Sequence, residues 1–331
     1  MANKKMTMAD IAEMAGVTKS TVSRYFNGGY VKQTTKDKIQ KVIEEYNYEP
    51  NAFARLKAKK SNVIGVVVPT LNSKITSRVI TSIDRYLRDR DYTTLIKNSD
   101  HDIDLELQNI QRLISLNVDG IILSSISITK EHKKIFEEAS IPVVVLAQDY
   151  REGVSIIDDD YNAGRFIGEY IGKKGHKKVG YIGVYETDEA VGICRKQGVL
   201  DGLKEYGITD PVMAKSDYSF IGGQKNTREI LEKAEVDAII CATDRLAFGC
   251  YKILQKKGYR IPEDVSVVGF GGYDESSLLM PELTTIKFDS YGMGYLGAET
   301  MLKMIREEPV SKKQVVDYEF IEGKSVSDRN Q

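Results

Sequence analysis

Hydrophobic and polar positions follow two regimes along the chain. From residue 62 onward, short β-branched runs at 63–68, 93–96, 120–123, 142–146, 179–182, 238–241 and 265–270 alternate with helix-length amphipathic stretches at 77–90, 105–116, 162–174, 195–206, 244–257 and 292–304. Strand-length apolar runs separated by segments of helical period predict parallel sheets wrapped by helices. One lobe is too small to use all of these strands, so two are expected, and facing lobes leave a ligand cleft beyond the carboxyl ends of their strands. Within 77–90, Val79, Ile80, Ile83 and Leu87 form a helical stripe that fits either an intramolecular core or a dimer interface.

The first 60 residues read differently. Residues 7–15 predict a short helix with Thr7 as N-cap, Asp10 three positions on, and an apolar face of Met8, Ile11, Ala12 and Ala15. Gly16 ends it, Val17 plugs the turn, and Thr18 caps a second helix over 19–26, which is helix-turn-helix spacing. Val22 and Phe26 point inward, whereas Lys19, Ser20, Thr21, Ser23 and Arg24 present hydroxyls and cations. In the DNA-reading form of this motif the start of the second helix enters the major groove. Lys19 then faces guanine edges, Ser20 and Thr21 base edges or phosphates, and Arg24 a guanine or a phosphate. Thr7, Thr18, Ser23 and Asn27 flank them as further DNA contacts. After the turn at 27–29, Thr34 is expected to cap a third helix, with Asp37 three residues later and Ile39, Val42, Ile43 and Tyr46 as its apolar stripe. Pro50 and Asn51 then open a short cationic segment, too short to be a stable helix alone and read as a linker ordered by contact with DNA.

Charge sharpens this division. Net charge is −1 for the whole chain, but residues 1–60 carry 12 Lys and Arg against 6 Asp and Glu, and the remainder 35 against 42. A basic module on an acidic body is the footprint of a polyanion binder, or else a solvated basic face. At 331 residues the chain exceeds one hydrophobic core. Cys194, Cys241 and Cys250 are too few and too far apart for a disulfide framework or a Cys-x-x-Cys metal site, which suits a reducing compartment. With no signal-peptide core and no long apolar span, a cytoplasmic location without membrane contact is expected. An enzyme would need a constellation that the residues do not supply. His101, His132 and His176 show no ligand spacing, no Walker A sequence occurs, and Asp158-Asp159-Asp160 reads as a domain crossing and helix cap. No metal or cofactor is expected.

The run D-I-A-E-M-A-G-V-T-K-S-T-V-S-R-Y-F-N at 10–27, followed by Y-N-Y-E-P-N-A-F-A-R-L at 46–56, resembles the headpiece and hinge of the lactose/galactose repressor family. The resemblance implies a homodimer on double-stranded operator DNA, with hinge helices that insert apolar side chains into the minor groove. Lys19 and Ser20 then hold the main base-reading positions, Arg24 a further contact, and Asn51, Ala54, Arg55 and Leu56 the hinge. Where the family usually has A-R-x-L, this chain has A-R-L. One missing residue turns a helical side chain by about 100° and moves Leu56 off the expected face unless the hinge helix shifts register.

The implied fold is α/β: an all-α helix-turn-helix headpiece over 1–49, a hinge over 50–61, and a periplasmic-binding-protein-like core over 62–331, with lobes of about 62–159 plus 290–318 and 160–288. Carried over by position, Arg195 in G-I-C-R-K-Q-G is the arginine that hydrogen-bonds the effector, and Tyr218 lies against a sugar face. Asp244 in C-A-T-D-R-L-A-F-G is either a helix cap or a ligand contact, and Phe288 stands at the second crossing. The segment V-G-F-G-G-Y-D-E-S-S-L-L places Gly271-Gly272 where the family commonly has a carboxylate, with Tyr273 or Asp274 as replacements. That segment, with P-T-L-N-S-K-I-T-S-R after the first strand, is similar to repressors of sucrose and other disaccharide operons. It adds Lys74, Ile75 and Thr76 as contacts, and Lys74 with Arg195 suits a sugar phosphate as well as a sugar. The implied function is a DNA-binding regulator of a carbohydrate operon switched by either ligand. The alternatives are a global regulator answering to a non-sugar co-repressor or partner protein, and a sugar-binding transport protein, which the headpiece disfavours.

Overall fold

The computed structural model describes residues 6–26, 29–46, 48 and 60–330. Helices α1 (Met8–Met14), α2 (Lys19–Phe26) and α3 (Gln33–Glu45) build the headpiece. α1 opens with a reciprocal cap: Thr7 Oγ1 accepts from the Asp10 amide, and Asp10 accepts from the Thr7 amide at 2.7 Å. Gly16, at φ +65°, ends the helix in a conformation that strains other residues. Ile11, Val22 and Ile39 are fully buried in a small core flanked by Val17, Phe26, Ile43 and Tyr48.

Two details of α3 depart from the sequence reading. It begins at Gln33 with Lys32 as cap residue and no side-chain cap, and Asp37 accepts from the Gln33 side-chain amide at 2.8 Å, so Thr34 lies inside the helix. Tyr46 is exposed and Tyr48 packs on the core in its place. Asn27 and the hinge positions Asn51, Ala54, Arg55 and Leu56 lie outside the described residues.

The core begins with β1 (Val63–Val68), α4 (Lys74–Arg88), β2 (Thr93–Asn98), α5 (Ile103–Ser115), β3 (Gly120–Ser124), α6 (Lys130–Glu138), β4 (Val143–Leu146) and β5 (Val154–Asp158). The second lobe follows with α7 (Asp160–Lys173), β6 (Val179–Val184), a π-helical turn (Glu189–Arg195), α8 (Lys196–Lys204), β7 (Val212–Ser216), α9 (Phe220–Lys233), β8 (Ala238–Cys241), α10 (Asp244–Lys256), β9 (Ser266–Phe270), a 3₁₀ turn (Asp274–Leu278) and β10 (Thr284–Phe288). The chain then returns to the first lobe for α11 (Ser290–Ile305) and β11 (Lys313–Val316), and ends in the second with β12 (Tyr318–Ile321).

Each lobe holds a six-stranded sheet, in the orders β11-β5-β4-β3-β1-β2 and β12-β10-β9-β8-β6-β7. All pairs are parallel except β10 with β12. Central strands such as β1, V-I-G-V-V-V, are buried at every residue because helices cover both faces. In each sheet the strand order reverses beside the first strand: β1 pairs with both β2 and β3, and β6 with both β7 and β8. Such a switch point leaves a crevice at the carboxyl ends of the strands. Residues beyond β12 stay with the second lobe, where Ser325 Oγ donates to the Val267 carbonyl at 2.6 Å and the Arg329 amide to that of Lys174 at 2.7 Å.

The α4 stripe is intramolecular core. Val79, Ile83 and Leu87 are buried and Ile80 packs beside them against Met293, Ala298 and Met301 of α11. The helices approach so closely that a Cβ on Gly294 would lie 2.4 Å from the Val79 carbonyl oxygen. Ile83→Ala should therefore cost about 2–5 kcal/mol of stability. Urea unfolding should show a loss that does not change with protein concentration, whereas an interface role would make it concentration-dependent.

Candidate functional site

A cavity of about 570 Å³ lies between the lobes at the carboxyl ends of their strands. Its floor is built around Arg195, the last residue of the π-helical turn and 5% exposed. Asp160 Oδ1 accepts from Arg195 Nε at 2.7 Å and from Nη2 at 2.5 Å, and the Ala242 carbonyl accepts from Nη1 at 2.7 Å. Phe270 and Phe288 each place a ring centroid 4.9 Å from the guanidinium carbon. The backbone that carries Arg195 presses on α7, where a Cβ on Gly164 would meet the Arg195 carbonyl oxygen at 2.2 Å, so only glycine fits.

The wall above is held by Asp188, which follows β6. Its Oδ1 accepts from the Val191 amide at 2.9 Å, capping the π-helical turn, and from Gln148 Nε2 of the other lobe at 3.0 Å. Its Oδ2 accepts from the Tyr218 hydroxyl. His101 of the first lobe stacks on the Tyr218 ring, with centroids 5.5 Å apart and planes 9° from parallel. Around the rim, Lys74 pairs with Glu275 at 3.1 Å, Arg78 with Asp274 at 3.0 Å, and Arg245 donates to the Asn72 carbonyl at 2.7 Å. The lobes therefore touch on several sides of the cavity.

Of the residues singled out in the sequence, Ile75, Thr76, Arg195, Tyr218, Tyr273 and Phe288 line the cavity together. Three others do not. Lys74 turns outward to Glu275, and Asp274 is exposed and engaged by Arg78. Asp244 is fully buried below the wall, where it accepts from Thr285 Oγ1 at 2.6 Å, Ser276 Oγ at 2.8 Å and the Tyr273 amide at 2.9 Å. It does not cap α10 either, since Thr243 Oγ1 performs that role. Tyr218 has one ring face covered by His101, which leaves less of it for a sugar. The Gly271-Gly272 departure has a steric cause. Both residues have positive φ, a Cβ on Gly272 would lie 2.3 Å from Lys287 Cβ, and the Tyr273 ring sits over Gly271 where a carboxylate would stand.

Sequence reasoning missed His101, Gln148, Asp158, Asp160, Asp188 and Phe270 as lining residues. All follow or end strands, the one signal that was available. Asp159 is the cap of α7, as the run of aspartates suggests. Its neighbours Asp158 and Asp160, however, face the cavity. Asp158 Oδ1 is buried without a hydrogen-bond partner. Burial first, and then the charge of Asp160, push the Asp158 pKa up to about 8 against the opposing pull of Arg195.

On the headpiece, Lys19, Ser20 and Arg24 are exposed on α2. Thr18 Oγ1 accepts from the Thr21 amide at 3.2 Å and shares hydrogen bonds of 2.8 Å with the Ser20 and Thr21 hydroxyls, so Thr18, like Thr7, serves first as a cap. The Tyr25 hydroxyl donates to Gln40 Oε1 and locks α2 to α3. The Arg24 stem lies over Gly29, where a Cβ would meet Arg24 Cγ at 2.5 Å.

A helix-turn-helix with an exposed polar and cationic second helix, joined to two parallel-sheet lobes that close over a polar and aromatic cavity, defines a ligand-responsive DNA-binding regulator. Residues 7–51 match the family described as bacterial regulatory proteins, lacI family, and residues 169–326 match a periplasmic binding protein-like domain. The chain is 31% identical over 314 residues to the sucrose operon repressor of Staphylococcus xylosus, covering 94% of this chain and 98% of that protein. It is 30% identical over 320 residues to catabolite control protein A of the same organism, covering 94% and 96%. Among solved structures it is similar to a lac repressor dimer bound to operator and the anti-inducer ONPF, with a TM-score of 0.85, 25% identity and coverage of 98% and 100%. A complex of the transcriptional regulator CelR with cellobiose shares the fold, with a TM-score of 0.75, 23% identity and coverage of 97% and 99%. The chain belongs to the lacI family of bacterial regulatory proteins, and it is a DNA-binding transcription regulator rather than an enzyme. Among the described residues no helix is long and apolar enough to cross a membrane.

The raised pKa of Asp158 has a signed consequence. Because its folded value lies above the ordinary 3.8, its contribution to stability is full below about pH 4 and is lost as pH rises toward 8. Asp158→Asn should gain Tm over the parent across that window, with the gap levelling off above it. A gap that does not change with pH means that Asp158 is ionised throughout.

Proposed function

We propose that this regulator is a homodimeric repressor of a carbohydrate-utilisation operon, acting in the cytoplasm, whose operator affinity is set by an uncharged mono- or disaccharide held between the lobes. The observation that carries the ligand class is the charge state of the cavity. Arg195, the cation at its floor, is already met by Asp160, and Lys74, the second cation a phosphate would need, is paired with Glu275 on the rim. Asp158, Asp188 and Asp217 add further carboxyl groups to the lining. Arg245 also lines the cavity, with its Nη1 given to the Asn72 carbonyl, so a phosphate dianion there meets one cation against the carboxylates of Asp188 and Asp217, whereas sugar hydroxyls find acceptors in those carboxylates and apolar faces in Phe288 and Tyr273. A volume of about 570 Å³ falls in the ordinary range for small-molecule sites. The likeness to the sucrose operon repressor supports a saccharide of this kind.

In this reading each headpiece reads half of a pseudopalindromic operator. Lys19, Ser20 and Arg24 contact base edges, while Thr7, Thr18, Thr21, Ser23 and Asn27 serve the flanks. Asn51, Ala54 and Arg55 belong to the minor-groove hinge, and Leu56 joins them there only if the hinge helix shifts register by one residue. Moving the switch from 99:1 to 1:99 takes a differential affinity of about 5.5 kcal/mol, which a dimer divides between two ligands.

A thermal-shift screen of the purified chain with sucrose, glucose, fructose and cellobiose, and with their phosphate esters, tests the ligand class. A neutral sugar at about 100 times its Kd should add about 2.7 kcal/mol, and Arg195→Lys should remove most of that by losing the planar fork and its stacking. Stabilisation by phosphate esters alone would sink the uncharged-sugar reading. For the headpiece, sites selected from a randomised duplex pool should bind Arg24→Ala more weakly by about 1–3 kcal/mol, with relaxed preference at one base pair. Uniform weakening across all sequences would assign Arg24 to a phosphate.

A further inference from the structure

Directly behind the first lobe's share of the cavity wall lies a polar cluster closed to solvent. Glu106, in the first turn of α5, is 1% exposed, and Ser99, Ser125 and His132 are buried around it. Ser125 Oγ donates to Glu106 Oε1 at 2.5 Å, His132 Nε2 meets the same oxygen at 3.0 Å, and Ser99 Oγ donates to Oε2 at 3.2 Å. The other side of the imidazole fixes its tautomer. The Thr129 amide lies 3.2 Å from Nδ1, and an amide N–H can only donate, so Nδ1 carries the lone pair and Nε2 the proton. His132 is thus neutral and donates to Glu106. Three neutral donors and the positive end of α5 compensate a buried carboxylate with which none of the three forms an ion pair.

Each donor belongs to a different part of the wall. Ser99 follows β2, and its single hydroxyl proton is shared between Glu106 and the Val68 carbonyl at the end of β1, 3.1 Å away. Two residues on stands His101, which with Asp100 has positive φ, at 60° and 52°, a backbone state that persists only where its surroundings hold it. Ser125 follows β3 inside a cavity-lining stretch, and its single hydroxyl proton is shared between Glu106 and the Ser127 carbonyl, 2.8 Å away. His132 and Thr129 open α6 with a capping box. A Leu or Met would fill the same volume without desolvating a charge, so what the carboxylate adds is fixed geometry for its donors.

We infer that Glu106 is a positioning residue for the effector site: without touching the sugar, its carboxylate ties the ends of β1, β2 and β3 into one wall and thereby sets sugar affinity. The inference rests on reading the cleft as a sugar site. Its test compares Glu106→Met, which keeps the volume and removes the acceptor, with Glu106→Gln, which keeps an acceptor for Ser125 and His132 and turns its amide to the Ser99 hydroxyl.

In the full chain, Glu106→Met should speed backbone amide exchange in 99–102 and 124–129 together while leaving the second lobe unchanged. It should also weaken binding of sucrose, or whichever of the four screened sugars stabilises the parent, by about tenfold or more. Glu106→Gln should restore both to within about threefold of the parent. Where the Met variant does not fold, Ser99→Ala, outside the cavity lining, takes its place, with an expected loss of about three- to tenfold. Exchange that rises in only one of the two segments, a folded Met or Ala variant with parental sugar affinity, or a Gln variant as impaired as Met overturns the inference. If the parent binds none of the four sugars, the sugar reading of the cleft falls, and without an affinity to set the inference falls with it. The exchange result then stands apart and decides only whether Glu106 pins the wall.

Discussion

The geometry of the core converges on one buried ion pair, Arg195 with Asp160, set between Phe270 and Phe288. Its partners come from the first chain crossing, the end of β8, the end of β9 and the second crossing. The guanidinium therefore joins the second lobe's sheet to the segments where the chain passes between the lobes. Removing one member of such a pair strands the other in a dry site and typically costs about 3–5 kcal/mol, so the pair constrains the structure even where its net contribution is small. The glycine contact at Gly164 and the cap that Asp188 gives the π-helical turn both hold the backbone that delivers Arg195.

Closure of the cleft has a different energetic character. The rim pairs Lys74–Glu275 and Arg78–Asp274 each include an exposed partner, and pairs of that kind contribute about 0–1 kcal/mol. The Gln148–Asp188 bond and the His101–Tyr218 stack are better shielded, yet they too are single contacts. A rigid floor under weakly joined walls is what a switch requires, because a ligand then needs only a few kcal/mol of preference for one arrangement to redistribute the population.

Strand and helix alternation made the two-sheet architecture legible, because fully buried parallel strands write continuous β-branched runs such as 63–68. The first two helices of the headpiece were legible through the Thr7 and Thr18 caps and the glycine turn, whereas the start of α3 was not, since Thr34 lies inside that helix. What the sequence conceals is which partner a polar side chain meets. Lys74 and Asp274 stand in the segments that border the cavity, but each finds an opposite charge on the rim. Asp244 stands at a cavity-facing loop and is drawn beneath it by two hydroxyls and an amide. Asp188 and Gln148 carry no local pattern beyond their place after a strand, since their pairing arises only when two lobes distant in sequence face each other.

The three passages of the chain between lobes bear on how the molecule comes into being. The first lobe lacks α11 and β11 until residue 316 has been made, and the second lacks β12 and the segment that Ser325 fastens to β9 until residue 325 has been made. Neither hydrophobic core can be completed by a nascent chain that stops at the end of β10. Tight packing such as that of α4 on α11 must wait for residues 290–305 to emerge, so the two lobes and the ligand cleft between them are completed together rather than one domain at a time.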